Sequence, residues 1–217
     1  MTQGGAPATD LRPWGLNASD LPNPESGRIG HDFFFPGRAG RPFELEIGSG
    51  KGTFLVQEGA ARTDTDFLGI EYAGEFFRYA ADRVRRHAMD NVRMLYADAG
   101  EVVRCWLADA CVRTVHLYFS DPWPKKRHHK RRVVQLDSLR AFHRLLQPGG
   151  ELRLVTDHPD LWAWYEAHVA QVTDLFERRA FERPSSAGEG EVVGTNFERK
   201  YRREGRPFHA MTLVRRD

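Results

Sequence analysis

Cysteine and long hydrophobic runs are both scarce in this chain of 217 residues. Its two cysteines, Cys105 and Cys111, are predicted to lie on different faces of one helix, which disfavours a disulfide. No apolar stretch reaches the ~18–20 residues that span a bilayer. Residues 1–20 lack the apolar run behind a basic start that marks a signal peptide. We therefore expect a cytoplasmic protein without a membrane segment.

A strong net charge is also missing, because Lys and Arg exceed Asp and Glu by only two. The distribution is uneven, however, since six cations fall within residues 125–132, and removing them from the net charge of +2 leaves −4. One segment thus makes an otherwise slightly acidic protein basic. That segment is the candidate contact for a polyanion.

Short apolar runs alternate with longer amphipathic ones from Phe43 onward, which predicts a doubly wound α/β fold with a mostly parallel sheet. The predicted strands are residues 43–47, 67–71, 92–96, 112–119 and 151–156, followed by an antiparallel C-terminal edge strand at 208–215. The predicted helices are residues 53–62, 74–87, 101–108, 133–146 and 161–172. The segment 175–217 is otherwise less regular.

Residues 1–40 are rich in Gly, Pro, Asn and Asp and show little periodicity. This composition predicts a flexible or loosely packed N-terminal extension before a single domain at residues 41–217. The three phenylalanines at 33–35 are the part of the extension expected to dock on the domain.

Acidic residues end or follow five successive predicted strands. Open α/β sheets bind ligands beyond the carboxyl ends of their strands, so these side chains are expected to share one site. Any single acid of this kind can simply cap a helix. Five of them beside a glycine-rich turn favour a ligand site instead, and they are Glu46, Glu71, Asp98, Asp121 and Asp157.

The turn after the first predicted strand reads E-I-G-S-G-K-G over residues 46–52. A phosphate-binding Walker loop would need Gly in place of Leu45 and Ser or Thr in place of Gly52, and a dinucleotide fingerprint would need Gly in place of Thr53. The neighbouring acids also disfavour a pyrophosphate. S-adenosyl-L-methionine carries a sulfonium and an ammonium, so an acid-lined pocket suits it better. Glu71 is placed to accept hydrogen bonds from ribose hydroxyls, and Asp98 from the adenine amino group.

The segment after the fourth predicted strand combines two prolines, Trp123 and the six cations. The prolines stop the strand, the indole offers a stacking face, and the cations can neutralise phosphates. A solvated charge run or a localisation signal is the ordinary explanation of such a segment. This run, however, begins four residues after Asp121, at the mouth of the predicted cleft. The adjacent His128 and His129 have no partners at metal-ligand spacing, so no metal is expected.

Several of these motifs resemble those of bacterial tRNA (guanine-N7)-methyltransferases, and the resemblance covers residues 33–215. The most specific is D-P-W-P-K-K-R-H at 121–128. The glycine turn, G-I-E at 69–71, A-D-A at 97–99, T-D at 156–157 and T-N-F-E at 195–198 are also similar. Ser49 and Lys51 depart from the more apolar residues expected at these positions.

The resemblance implies a class I methyltransferase fold, Rossmann-like, that methylates N7 of guanosine 46 in the tRNA variable loop. By motif match, the residues that would bind S-adenosyl-L-methionine are Glu46, Gly48, Gly50, Glu71, Asp98 and Asp121, with Asp121 also catalytic. Those that would bind the guanosine substrate are Lys125, Asp157, Thr195, Asn196, Phe197 and Glu198. Those that would bind RNA are Arg127, His128, His129, Lys130, Arg131 and Arg132.

N7 of guanine has an available lone pair and no proton to lose, so methyl transfer needs in-line placement rather than a general base. Three alternatives remain open from the residues. They are a methyltransferase for a small molecule or protein, a nicotinamide-dependent oxidoreductase, and a non-catalytic RNA-binding module. The protein is expected to be a monomer or a homodimer.

Overall fold

The computed structural model of the protein describes residues 10–217, in which eight strands form one sheet. The strands are β1 (Gly15–Asn17), β2 (Phe43–Ile47), β3 (Asp66–Glu71), β4 (Val92–Tyr96), β5 (Val112–Tyr118), β6 (Leu146–Thr156), β7 (Phe176–Arg179) and β8 (His209–Arg215). Their order across the sheet is β1-β4-β3-β2-β5-β6-β8-β7. β1 to β6 pair in parallel, β8 is antiparallel to both of its neighbours, and the predicted α/β fold is confirmed.

The C-terminal strand is antiparallel as predicted, and it lies one place in from the edge. The short strand β7 pairs with its outer side and takes the edge position. β7 was missed because four residues with the sequence F-E-R-R carry little strand periodicity.

The helices lie between the strands. They are α1 (His31–Phe34), α2 (Thr53–Ala61), α3 (Gly74–Arg86), α4 (Ala99–Glu101), α5 (Leu136–Leu145), α6 (Pro159–Val169) and α7 (Asn196–Arg203). The helix predicted at 101–108 is instead α4 followed by a π-helical turn, Val102–Trp106. Cys111 lies beyond that turn, and both cysteines are free thiols. Within residues 10–217, no helix combines the length and the apolar content needed to cross a membrane.

The two faces of the sheet carry different cores. Alternate residues of a strand point to opposite faces, so Phe43, Leu45 and Ile47 of β2 enter the larger hydrophobic core. Glu44 and Glu46 point to the other face and are also buried, at 2% and 4% exposure. β2 therefore carries buried carboxyl groups on the sheet face opposite the larger core, and Glu46 is close to the carboxyl end of the strand.

The described part of the N-terminal segment packs on the sheet. β1 pairs with β4, and Phe34 and Phe35 are buried in the larger core, as expected for docking, while Phe33 is 38% exposed. Asp66 of β3 binds the segment further through His31, with 2.8 Å between Nε2 and Oδ2. Residues 1–9 lie outside the described part, and the domain boundary at residue 40 stays a prediction.

Candidate functional site

The five acidic residues at the predicted strand ends lie at one edge of the sheet. β4, β3, β2, β5 and β6 are adjacent and parallel, so their carboxyl ends meet there. Glu46 and Glu71 are the last or next-to-last residues of β2 and β3. The other acids follow the neighbouring strands within three residues, and they are Asp98, Asp121 and Asp157. Strand order alone thus brings the five together, as the β-α alternation predicted.

The glycine turn between β2 and α2 has three left-handed residues. The φ angles are 74° at Gly48, 52° at Gly50 and 66° at Gly52, a region that glycine enters without a steric penalty. A Cβ atom at Gly52 would lie 3.0 Å from the Cβ of Ala80, so this glycine lets α3 pack closely. A Cβ at Gly48 would meet no atom within 4 Å, so this side of the turn is open to a ligand.

Glu71 holds the glycine turn against β3. Its Oε2 accepts a hydrogen bond from the amide of Gly50 and its Oε1 one from the amide of Ala73, both at 2.7 Å. Asp98 is exposed, and its Oδ1 accepts from the amide of Glu101 at 2.9 Å, which caps α4. Each of these acids therefore has a local structural role at the position where a ligand contact is predicted.

Glu46 is buried without an adequate partner for its carboxyl. It is 4% exposed, and its Oε2 is buried with no hydrogen-bond partner. Burial raises the pKa of this carboxyl to about 8, and the nearby charge of Glu71 adds to the increase against the opposing effect of Ser49. A buried, unpaired carboxyl is costly, and a cationic ligand at this position would relieve that cost.

Lys51 points out of the turn. Its ammonium lies 5.6 Å from the ring centroid of Tyr79 on α3, and the residue is exposed. Ser49 points inward, where its hydroxyl donates to the carbonyl of Glu46 at 3.3 Å. The departures from the expected apolar residues thus leave no lysine charge inside the acid-lined turn.

Asp121 lies between two residues with unusual backbone conformations. Phe119 and Trp123 have φ angles of 54° and 43°, which non-glycine residues adopt at a cost of about 1 kcal/mol or more each. Ser120 bonds to the buried Tyr165 hydroxyl at 2.7 Å, which helps to fix this exit from β5. Asp121 itself is exposed, and within residues 10–217 its carboxylate makes neither an ion pair nor a side-chain hydrogen bond.

The basic loop, residues 125–132, contains a short 3-10 helix, Lys126–Arg131. Five of its cations are exposed and have no carboxylate partner among the described residues: Lys125, Lys126, Arg127, Lys130 and Arg131. Arg131 lies 4.8 Å from the ring centroid of Trp123, and His128 packs edge-on against the same ring. The loop therefore presents a cationic outer surface around an indole.

Arg132, which is predicted to bind RNA, is the buried cation of the loop. It is 4% exposed, its Nε donates to the carbonyl of Pro122 at 2.8 Å, and its guanidinium lies 4.9 Å from the ring centroid of Trp164. Burial lowers its pKa. Arg132 braces the loop from inside, and His129 packs on the same Trp164 at 5.3 Å. The charge run alone gave no sign of this, because Trp164 lies on the distant helix α6.

The motif at 195–198 divides into two pairs with different roles. Glu198 is fully buried and accepts from the amides of Val192, Val193 and Gly194 at 2.6–2.9 Å. These bonds and Arg202 lower the carboxyl pKa although burial opposes them. Thr195 caps α7 by accepting from the amide of Glu198 at 3.1 Å. Thr195 and Glu198 therefore hold the loop and the helix, and their contact with the guanosine stays a prediction.

Asn196 and Phe197 face the glycine turn. The side-chain amide of Asn196 donates to the hydroxyl of Thr53 at 3.0 Å, and a Cβ at Gly50 would lie 3.4 Å from the Phe197 ring. Phe197 also stacks on Tyr201, which in turn packs against Phe119 at the end of β5. α7 thus connects the glycine turn to the segment that carries Asp121.

Asp157 is paired in a way that the sequence did not reveal. It is 8% exposed, and its Oδ2 accepts from the guanidinium of Arg206 at 2.7 Å. Arg206 also lies 4.3 Å from the ring centroid of Tyr201. The two partners are 49 residues apart, so no local spacing signals the contact. Asp121, whose carboxylate is exposed and unpaired among the described residues, is therefore more available to a ligand than Asp157.

A buried polar network supports the turn from below. His116 of β5 and Arg62 bond to the two oxygens of Glu44 at 2.9 and 2.6 Å. Burial by itself would raise the Glu44 pKa, but these partners lower it to about 2. Burial lowers the pKa of His116. The network fixes β2 to β5, and hence the glycine turn to the Asp121 segment.

Solved structures similar to this chain include methyltransferases. An aminoglycoside resistance methyltransferase has a TM-score of 0.56 and 18% identity, with 86% of this chain and 94% of that chain covered. An rRNA methylase from Streptococcus thermophilus has a TM-score of 0.53 and 11% identity over 82% of this chain and 88% of that one. At these identities the likeness shows the fold alone.

Sequence relatives are more specific. Residues 40–211 match the family described as "putative methyltransferase". The tRNA (guanine-N(7)-)-methyltransferase of Alkalilimnicola ehrlichii is 39% identical over 87% of this chain and 78% of its own length. The enzyme of the same name from Rhodopirellula baltica is 32% identical over 97% of this chain and 77% of its own length, and that from Geobacillus kaustophilus is 31% identical over 90% and 88%. The chain therefore belongs to the family of tRNA (guanine-N7)-methyltransferases.

Proposed function

We propose that the protein transfers a methyl group from S-adenosyl-L-methionine to N7 of guanosine 46 in the tRNA variable loop. One observation carries this proposal. The exposed and unpaired carboxylate of Asp121 lies between an acid-lined glycine turn and a loop of unpaired cations. The turn suits a cationic methyl donor and the loop suits an anionic acceptor, so the acid between them is placed where the two reactants would meet.

The residues at the glycine turn fit S-adenosyl-L-methionine. Glu46 has a buried oxygen without a partner, and the open side of Gly48 leaves room for a ligand against the backbone. With Glu71 and Asp98 they form an acidic donor set that suits a sulfonium and an ammonium and would repel a pyrophosphate. When bound, the donor supplies an electrophilic methyl group.

The acceptor guanosine would be held by residues on both sides of Asp121. Phe197 is 42% exposed and offers a ring face, already aligned by stacking on Tyr201, on which a purine can lie. Lys125 and Asn196 are exposed at the same end of the sheet and can contact the sugar, the phosphate or the base edge. Arg127, Lys130 and Arg131 would bind the adjoining phosphates.

Catalysis in this arrangement is positioning with electrostatic support. During transfer the N7–carbon bond forms as the carbon–sulfur bond breaks, and positive charge moves onto the purine. The N–H donors on the Watson–Crick edge of guanine become more acidic as this charge develops. A carboxylate at Asp121 that accepts from them is therefore bound more strongly in the transition state than in the ground state.

The direct test is to map N7-methylguanosine in tRNA transcripts after incubation with the purified protein and labelled S-adenosyl-L-methionine. We expect modification at position 46 and none in a transcript whose guanosine 46 is replaced by adenosine. Methyl transfer to small acceptors but not to tRNA would refute the proposal, as would calorimetric binding of NAD in place of S-adenosyl-L-methionine.

We propose that the enzyme acts in the cytoplasm, where it would encounter tRNA. We also propose that it is a monomer or a homodimer. Cell fractionation and sedimentation velocity measure these two properties. Within residues 10–217, no three or more His, Cys, Asp or Glu side chains are grouped so that they could hold a metal.

A further inference from the structure

One face of α3 carries aromatic side chains next to a cation. Phe76, Tyr79 and Arg83 are spaced so that they lie on the same side of the helix, beside its buried face. Phe76 and Tyr79 are 36% and 50% exposed. The ammonium of Lys51, from the glycine turn, lies 5.6 Å from the centre of the Tyr79 ring.

One face of α7 continues this surface. Asn196, Lys200 and Arg203 have the i, i+4, i+7 spacing that places them on one side of the helix. The two helices meet at Thr53, whose hydroxyl accepts from Arg83 at 3.2 Å and from Asn196 at 3.0 Å. We call the result the α3–α7 surface, formed by Lys51, Phe76, Tyr79, Arg83, Lys200 and Arg203.

The cations of this surface differ from their neighbours in having no carboxylate partner. Arg199 and Arg202 of α7 pair with Glu191 and Glu198 at 2.7 and 2.6 Å. Among the residues that the structure describes, none of the four cations of the α3–α7 surface forms an ion pair. Unneutralised cations interleaved with exposed aromatic rings are the combination that binds single-stranded nucleic acid, through phosphate contacts and base stacking.

The strand order places α3, which carries Phe76, Tyr79 and Arg83, on the side of the glycine turn away from the basic loop. α3 follows β3 and the basic loop follows β5, and β2 with its glycine turn lies between those two strands. An RNA that presents a base at the turn therefore has one positively charged surface on each side. The basic loop by itself would hold the chain on one side only.

We propose that the α3–α7 surface is a second RNA-binding surface, separate from the basic loop, which holds the tRNA backbone and an unpaired base beside the glycine turn. Lys51, Lys200 and Arg203 bind phosphates, and Tyr79 stacks on a base. This inference rests on the proposed function, because the RNA is taken to be the methyl acceptor.

The test compares two double variants that remove the same charge. Lys200→Gln with Arg203→Gln alters the surface, and Arg140→Gln with Arg179→Gln alters exposed arginines on α5 and the edge strand β7. Affinity for a tRNA transcript is measured by fluorescence anisotropy from 50 to 200 mM salt. The surface variant should bind about tenfold more weakly, with a salt slope smaller by about 1.8 for two lost phosphate contacts. The control should match the wild type.

Tyr79→Ala separates stacking from charge. It should weaken tRNA binding at least about fivefold and leave the salt slope unchanged, because stacking releases no counterions. Calorimetry with S-adenosyl-L-methionine should give wild-type affinity for every variant. Surface variants with the tRNA affinity and salt slope of the wild type would overturn the inference. If the wild-type protein methylates tRNA in the same experiments, the proposed function stands and only the second surface is refuted. Equal losses in surface and control variants, weakened binding of the methyl donor, or a changed oligomeric state in sedimentation velocity would overturn it too.

Discussion

Replacing Glu46 with Gln tests the assignment of the acid-lined turn, because it removes the buried charge and keeps the shape. The Glu46 pKa of about 8 means that the empty site holds a protonated carboxyl at neutral pH. A cationic ligand needs the ionised form, so its binding must release a proton. The apparent affinity of the wild type should then fall about elevenfold at pH 7 and about a hundredfold at pH 6, relative to its limit at high pH.

Calorimetry with S-adenosyl-L-methionine from pH 6 to pH 9 measures this effect. The α-amino group of the ligand has a pKa near ~7.7–8.0 and titrates in the same range. Its titration is common to both proteins, so the ratio of the Glu46→Gln Kd to the wild-type Kd isolates the carboxyl. That ratio should rise about a hundredfold between pH 6 and pH 9. A ratio that is constant across this range would refute the reasoning.

Stability should change in the opposite direction. A carboxyl whose pKa is raised on folding contributes fully to stability below its ordinary pKa, and that contribution is lost as the pH rises through about 8. Without ligand, the wild type should therefore lose roughly 2–3 kcal/mol relative to Glu46→Gln between pH 6 and pH 9. Thermal unfolding of both proteins at the two pH values measures the difference.

Four further substitutions separate catalysis, RNA binding and structure. Asp121→Ala should lower kcat by about a hundredfold or more, while tRNA binding in anisotropy stays near wild type; an equal loss of binding and rate would contradict this division. Arg131→Gln should reduce the salt slope of tRNA binding by about 0.9. Arg132→Gln should leave the salt slope of tRNA binding unchanged. It should lower Tm by about 2–8 °C, because it loses a buried hydrogen bond and a cation–π contact. A reduced salt slope for this variant would show that the Arg132 side chain reaches phosphate. Glu198→Gln should destabilise the protein by about 2–4 kcal/mol in thermal or urea unfolding, since three amides and Arg202 lose a charged acceptor. A variant with wild-type stability but no activity would show that Glu198 acts on the substrate and not on the fold.

The strands that frame the site could be predicted from the sequence, because their environment is uniform. β2 is buried along its length, β4 is buried except at Arg93 and Tyr96, and the bounds of both strands coincide with the predicted ones. The helix predicted at 101–108 was partly missed because hydrophobic spacing cannot distinguish an i+4 from an i+5 hydrogen-bond pattern. α7 was missed because charged residues surround it. Its stability comes from Thr195 and Glu198 rather than from an apolar face.

Some of the site residues could likewise be placed from the sequence, and others could not. The acids at the strand ends could be placed because strand order fixes where they lie. The basic loop could not be resolved residue by residue, since the burial of Arg132 depends on Trp164, which a charge pattern does not report. Likewise, the pairing of Asp157 with Arg206 depends on how the C-terminal segment returns to the sheet. The sequence motifs therefore did not predict contacts between residues that are distant in the chain.

The pairing of β1 with β4 has a practical consequence for shortening the chain. Residues 40–211 match the family, so residue 40 is an obvious place to start a truncated protein. Such a protein would lack β1, which exposes the β4 backbone as an open sheet edge and uncovers Phe77 and Ala81, against which Gly15 packs. Unpaired edges recruit other chains. Poor yield or aggregation of that protein would therefore reflect a missing strand, and would say nothing against the fold of the catalytic part.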